Sequence, residues 1–484
     1  MTTNAIPPSL GHLSATELLE GFRTLEITPL QVLDTQIERV GLFNGDRETG
    51  INAFTETLFD TAREQAAAAG AEYVRLAREG GRAPALLGLT IATKEKHGIA
   101  GLTLEQGLAA HRGKIAAVDH PVVERIKSAG GIIHARTTSP EFSCATTTHS
   151  PMWGITRNPW NPAASPGGSS GGAGAALAAG FTTLATASDI AGSTRIPAGF
   201  TGTVGYKAPY GRVPAFSSLS ADWYRGDGPM ARTVADTALL ASVISGRHAL
   251  DHGSWGGRDT NPLLPGDVRG LRIGLSITLG DYPVAPEIRE NTLRVARALE
   301  NAGALIVPVE LPWTTARIAE TIFAHFGHIL GPAMAVETAG TEDQLAAYTT
   351  RFIADAAAAA TRNTLVDSLG MDHALQAELA TAMQGLDGLL CPTSAVTALS
   401  ADGDYLNGID TPARHLGHYW EAHMTSPFNV ANRCPVISVP SGLADDGVPT
   451  GVQVVGHPFE ESMTFRIASA IESLVPGPGV PLLR

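Results

Sequence analysis

Apolar positions along this chain follow two rhythms, and the switches between them sketch its elements. Over residues 14–36, Leu18, Leu19, Phe22 and Leu33 recur at helical spacing among polar residues. Residues 60–79 combine an alanine run with Glu64, Glu72, Arg75 and Arg78. Both patterns predict amphipathic helices. A short apolar run at 88–93 predicts a buried strand that ends at Lys94-Glu95-Lys96. A helix at 121–129 then leads through Gly130-Gly131 into a second apolar run at 132–135, a helix–turn–strand step. Beyond residue 233 the pattern predicts helices at 234–244, 288–302 and 461–474 and a helical region at 318–369. Strands are expected at 271–275, 304–309, 388–391, 436–439 and 450–455. Repeats and linkers are absent from the pattern. The expectation is an α/β chain with one domain over 1–484, N-terminal helices at about 14–80 and a helical elaboration at about 315–385.

Residues 137–214 break both rhythms. They are crowded with Gly, Ser, Thr and Pro, yet nearly uncharged and interleaved with apolar segments at 175–179 and 184–187. Small residues at this density point to backbones packed closely around a site rather than to a linker. Composition agrees: 44% hydrophobic and 17% charged residues belong to a chain with a large core. A net charge of −13 without basic blocks argues against nucleic acid and anionic membranes as partners. Cys144, Cys391 and Cys434 are too few and too scattered for a disulfide framework, and residues 1–13 carry no basic start or apolar run. The expected location is cytoplasmic.

The chemistry must then come from the Ser/Gly-rich stretch. Gly167-Gly168-Ser169-Ser170-Gly171-Gly172 satisfies G-x-S-x-G twice, but Pro159 and Pro162 precede it where a nucleophile elbow needs a strand. A phosphate-cradling reading fails because no Gly-Lys-Ser/Thr follows. His325 and His328 stand three apart without a carboxylate near them in sequence, so they read as helix-surface or pocket-lining residues and no metal is expected.

A more specific constellation remains. Ser165–Gly172 is followed by Asp189-Ile190-Ala191-Gly192-Ser193-Thr194-Arg195, which places Ser193 twenty-four residues after Ser169, and Leu89–Lys94 lies upstream. With Asn158-Pro159-Trp160-Asn161-Pro162, Gly228-Pro229-Met230-Ala231-Arg232 and Gly451-Val452-Gln453-Val454 in the same order, the chain resembles the amidase signature family over roughly residues 14–475. That resemblance implies a three-layer α/β/α fold around a large mixed, twisted sheet, with no cofactor. It implies Ser193 as nucleophile, Ser169 as a bridging serine after a cis peptide, and Lys94 as base. Lysine serves as a base only when neutral, so the site must depress an ordinary value of about 10.4. The amides of Ile190, Ala191 and Gly192 would form the oxyanion hole. Ser170, Asp189 and Arg195 would support the loop. Two departures stand out: Glu95 where the family has Asp, and Ala191 where a glycine is usual.

The implied activity is amidase hydrolysis of a C–N acyl bond, with aryl or apolar groups, through an acyl-enzyme. Carbamates, esters or hydrazides are chemically close alternatives. A glutaminase-type subunit of an amidotransferase and a non-catalytic scaffold are the rivals. Aromatic residues in the segments that match least suggest an apolar pocket that includes Ser143, Cys144, Trp223 and Phe326. The expected partners are a small-molecule amide or carbamate and, at most, a second copy of the chain as a homodimer.

Overall fold

The computed structural model describes residues 10–46, 49–256 and 267–483. Most of the stretch at 1–13, where no leader is expected, therefore lies outside the described residues. Eleven strands form one sheet: β1 (Phe54–Thr57), β2 (Thr90–Lys94), β3 (Ile132–Thr137), β4 (Leu184–Asp189), β5 (Val204–Lys207), β6 (Gly226–Ala231), β7 (Arg272–Leu275), β8 (Leu305–Pro308), β9 (Gly388–Pro392), β10 (Val436–Leu443) and β11 (Pro449–Val455). Their spatial order is β1-β3-β2-β4-β6-β5-β10-β11-β9-β7-β8. β2 runs parallel to both β3 and β4, whereas β4, β6, β5, β10, β11 and β9 pair antiparallel in succession. The sheet is mixed.

Side chains alternate across it with period two. In β9, Leu389 and Cys391 join one hydrophobic cluster and Leu390 the other. In β10 and β11, Val436 and Val455 face the first, Ile437, Val439, Val452 and Val454 the second. Both faces are therefore covered, and β2, β3, β4, β9 and β11 are buried along their whole length. Burial on both sides is why these strands read as continuous apolar runs rather than as alternation.

Several predicted elements divide. The helix expected at 14–36 becomes Ala15–Thr24 and Pro29–Phe43, because Leu25 turns left-handed at φ 62° and Thr28 caps a new helix with Pro29 at its first position. The helical region at 318–369 resolves into Thr315–His328, Leu330–Glu337, Ala347–Arg362 and Leu365–Ala382. Strands β1, β5 and β6 are additions, and the apolar segment at 184–187 becomes β4. β6 reads as a turn in sequence because it contains Gly226, Gly228 and Pro229. It tolerates the proline because its pairing with β5 reaches only Met230, so the ladder on that side has ended.

The helix Gly171–Ala178 packs so tightly that every residue in it is buried. A Cβ at Gly172 would lie 2.4 Å from Thr138 Oγ1 and 2.6 Å from its amide nitrogen. A Cβ at Gly41, in the helix Pro29–Phe43, would meet nothing within 4 Å. Gly172→Ala is thus expected to cost about 1–3 kcal/mol through overpacking, while Gly41→Ala gains about 0.5–1 kcal/mol from helix propensity. Opposite shifts in thermal midpoint check this pair.

Candidate active site

The site forms where the parallel strands β2 and β4 end side by side, in register through Ala92 and Ala185. Lys94 is the last residue of β2 and has no solvent exposure. Its backbone amide donates to Thr186 Oγ1 at 2.9 Å, which fixes the strand end. Its Nζ lies 2.6 Å from Ser169 Oγ, 3.0 Å from Ser170 Oγ and 3.0 Å from Ser188 Oγ. Burial drives the lysine well below its ordinary value, the charge of Lys96 adds to the shift, and Asp227 and Asp189 oppose it. An amine surrounded by three hydroxyls and no bonded carboxylate is held in an environment that favours its neutral form.

The loop that carries Ser169 is pinned from beneath. Thr148 Oγ1 donates to the Gly167 carbonyl at 2.8 Å and the Gly168–Ser169 peptide is cis. A side chain at 168 would strike the carbonyl oxygens of Thr147 and Ala145 at 2.7 and 2.8 Å. The Ser170 amide donates to the Ser193 carbonyl at 3.1 Å, joining the two serine motifs directly. Ser169 and Ser193 line one cavity of about 310 Å³, together with Ser188, Asp189 and Ile190.

Asp189 and Arg195 organise the second loop. The Asp189 carboxylate accepts from the amides of Gly192 at 2.7 Å and Thr194 at 3.2 Å, from Arg195 at 3.0 Å twice, and from Asn429 Nδ2 at 2.9 Å. Burial alone would raise this carboxyl, but the Arg195 charge and hydrogen bonds outweigh it and hold it at about 2. Arg195 also reaches the Thr425 carbonyl, Gln453 Oε1 and Asn429 Oδ1. Thr425 Oγ1 donates to the Ala191 carbonyl at 2.6 Å, fixing that peptide plane.

This geometry alters the expected oxyanion hole. The Gly192 amide is committed to Asp189, so it is not free to meet a substrate oxygen. The amides of Ile190, Ala191 and Ser193 make no hydrogen bond to other described residues. Among the expected pocket residues, Ser143 lines the cavity and the other three do not. Cys144 is buried with its Sγ 3.8 Å from Thr349 Oγ1, and burial pushes its thiol up to about 12. Trp223 donates to Asp372 at 3.1 Å and packs on His325, and Phe326 is enclosed by Phe323, Phe352 and Trp420. Large rings bury the most apolar area, so these fill the core of the helical elaboration, while Phe142, Phe216, Leu330 and Met334 face the cavity. His325 is likewise buried, bonded to Asp222 at 2.8 Å, and His328 bonds the Asn363 carbonyl at 2.7 Å, so neither is a free surface ligand.

One group of the right type for a metal does assemble. His97, His120 and Asp227 bring ligand atoms within 4.8 Å of one another, from the end of β2, a helix N-cap and β6. Their hydrogen bonds assign them elsewhere. His120 Nδ1 accepts the Val122 amide at 3.2 Å, which leaves the proton on Nε2, 3.5 Å from Asp227 Oδ2. His97 Nδ1 meets Thr186 Oγ1 at 2.8 Å, its Nε2 lies 3.1 Å from Asp227 Oδ1, and Lys96 approaches the same oxygen at 3.2 Å. The carboxylate is thus approached by Lys96 and both histidines, so the cluster reads as an ionic network around Asp227.

Sequence reasoning missed Ser188, Thr425, Asn429 and this cluster. Gln453 lies within one of the family-like motifs, but its role as an Arg195 partner depends on strand pairing. The chain is also similar to known proteins along almost its whole length. The sequence pattern of the family described as Amidase matches residues 45–465. An acylamidase of Rhodococcus erythropolis is 31% identical over 479 residues, covering 97% of this chain and 96% of its own. A glutamyl-tRNA(Gln) amidotransferase subunit from Thermosynechococcus vestitus is 29% identical over 462 residues, covering 89% of this chain and 93% of its own. Among solved structures, a bacterial aryl acylamidase of the amidase signature family superposes with a TM-score of 0.85 at 27% identity, covering 96% of each chain.

Asp189 titrates lower in the fold than its ordinary 3.8, so its stabilisation is present above about pH 4 and drains as pH falls toward about 2. Asp189→Asn leaves Arg195 buried without its counter-ion and is expected to cost about 3–5 kcal/mol at pH 7. Urea titrations at pH 7 and along the acid limb, which should flatten in the variant, measure both effects.

Proposed function

The chain belongs to the amidase family, and from that premise we propose that Ser193, Ser169 and Lys94 carry out its reaction as nucleophile, proton relay and base. The protein is a hydrolase of carbon–nitrogen bonds outside peptides, an amidase in a mixed α/β fold. The observation that carries the proposed assignment is the 2.6 Å contact between a fully buried lysine amine and Ser169. A buried amine without a bonded carboxylate is biased toward its neutral form, the only form that can take a proton, and a serine hydroxyl can accept from one neighbour while donating to another.

In this reading Ser193 Oγ attacks the acyl carbon, its proton moves to Ser169 Oγ, and the Ser169 proton moves to Lys94 Nζ. The tetrahedral oxygen is received by the unspent amides of Ile190, Ala191 and Ser193. Each such donor is worth roughly 3 kcal/mol of barrier. As the C–N bond breaks, the proton returns through Ser169 to the leaving nitrogen. Water then attacks the acyl-enzyme, aided by the same relay, and releases the acid. These groups engage only the carbonyl and its leaving atom, so carbamates, esters and hydrazides fall within reach of the same triad. The acylamidase relatives support a free-standing amidase for aryl or apolar groups. Ser170 and Ser188 complete the lysine's hydroxyl shell, and Asp189 with Arg195 holds the nucleophile loop.

One sheet running from residue 54 to 455 supports treating the described chain as a single unit. The three cysteines are unpaired and buried, in keeping with a reducing, cytoplasmic setting. Among the described residues no helix is long and apolar enough to cross a membrane.

A fluorophosphonate probe is expected to label the protein, and Ser193→Ala to abolish both labelling and anilide hydrolysis. Lys94→Met is expected to lower kcat by about 10²–10⁴-fold. Because burial depresses Lys94, kcat/KM should fall as acid protonates the amine and reach its plateau at a pH well below the ordinary lysine value. A profile governed by a group near 6.5 and removed by changing one histidine would overturn the triad.

A further inference from the structure

The wall of the cavity beyond the serines carries two cations that take no part in the proposed proton transfers. Lys96 follows Lys94 by two residues at the end of β2, and Arg225 immediately precedes β6. Their side chains are 22% and 23% exposed, and both line the cavity that holds Ser169 and Ser193. β6 pairs with β4 through Asp189↔Gly226 and Ser188↔Asp227, which places this wall directly beside the nucleophile loop.

Each acidic group that lines the cavity is already matched. Asp227 is met by Lys96, His97 and His120. Asp189 is held by Arg195, Asn429 and two amides. Asp251 accepts the amides of Ala215 and Gly253 at 2.9 Å each, and Glu337 lies 3.5 Å from both Lys114 and His111. The cations are not matched in the same way. The Lys96 amine makes one hydrogen bond among the described residues, at 3.2 Å to Asp227, leaving two of its three donors. The Arg225 guanidinium makes only a long 3.4 Å bond from Nε to Asp222, so both terminal NH2 groups lack a protein acceptor among the described residues. Asp222 in turn is shared with His325 at 2.8 Å.

We propose that Lys96 and Arg225 form a carboxylate-binding subsite of this amidase, so that its substrate is an amide with an apolar body and an anionic carboxylate. The inference rests on the hydrolase reading above and adds to it the chemical class of substrate. A guanidinium offers two parallel N–H bonds that match a carboxylate's geometry, and an ammonium beside it supplies further donors. Asp227 holds Lys96 in place through its hydrogen bond and its charge opposes the lowering that burial and Arg225 impose on the amine, a positioning role that explains a buried carboxylate at this spot. Phe216, Leu330 and Met334 provide apolar surface in the same cavity for the rest of the molecule. No charged recognition pair stands out in the sequence, because Lys96 and Arg225 lie 129 positions apart and meet only through the β2–β4–β6 pairing.

Binding to the Ser193→Ala protein tests this without requiring turnover. Two matched pairs are titrated calorimetrically: N-succinyl against N-butyryl 4-nitroanilide for the acyl side, and 4-acetamidobenzoate against 4-methylacetanilide for the amine side. At least one carboxylated member is expected to bind about tenfold or more tightly than its neutral partner. That ratio should fall toward one when Arg225→Gln or Lys96→Gln is added. Equal or weaker binding of both carboxylates overturns the subsite, as does a preference that survives both substitutions. Loss of the triad reading would show separately, as wild-type protein that neither labels with fluorophosphonate nor hydrolyses any of the four compounds.

Discussion

Everything near the cavity follows from having to hold one amine, Lys94 Nζ, away from water and from any directly bonded carboxylate. Its three hydroxyl partners sit at 2.6–3.0 Å and come from two different segments, Ser169 and Ser170 from one loop and Ser188 from β4. Such an arrangement forgives little, because an unpaired polar group at this depth costs far more than an ordinary hydrogen bond gains. The fold meets the demand with closeness. Strand ends in register, glycines where any side chain would collide and an all-buried helix behind the loop bring backbone against backbone. The density of small residues over 137–214 is the sequence trace of that closeness.

Charge is handled one layer out. Asp189 and Arg195 neutralise each other and share Asn429, and Asp227 gathers Lys96, His97 and His120. Neither ion group hydrogen-bonds the lysine amine. Both set its electrostatic surroundings and at the same time fix the loops on either side of it. Separating the polar shell that touches the amine from the ionic shell around it lets a single cavity hold a lysine of depressed basicity beside cationic neighbours.

How much of this could be read from the chain depended on whether a signal was local. Lys94, Ser169 and Ser193 lie inside dense motifs of fixed spacing, and the buried strands announced themselves as apolar runs. Ser188 looked like an ordinary polar residue in a strand. β6 was hidden by glycine and proline, and a proline is permitted there only because of how far its neighbour extends. Cys144, Trp223 and Phe326 share the composition of pocket walls and of cores, and only packing decides between them. Gly192 shows the same limit at finer grain, since its amide could have served a substrate had Asp189 not reached it first. Partners brought together by strand order, such as Arg195 with Gln453 or Lys96 with Arg225, leave no mark in any single stretch of sequence.

The dependence of the Ser193 loop on segments far downstream also has a consequence in time. Arg195 is braced by Asn429, 234 residues later, and by Gln453 beyond that. A ribosome adding roughly 5–20 residues per second needs on the order of tens of seconds to cover that distance. Throughout that interval Ser193 has already been synthesised but has no braced loop to hold it. The Ser193 loop therefore gains its bracing only once residues 429 and 453 have been made, and products that stop short of them carry the motif without its geometry.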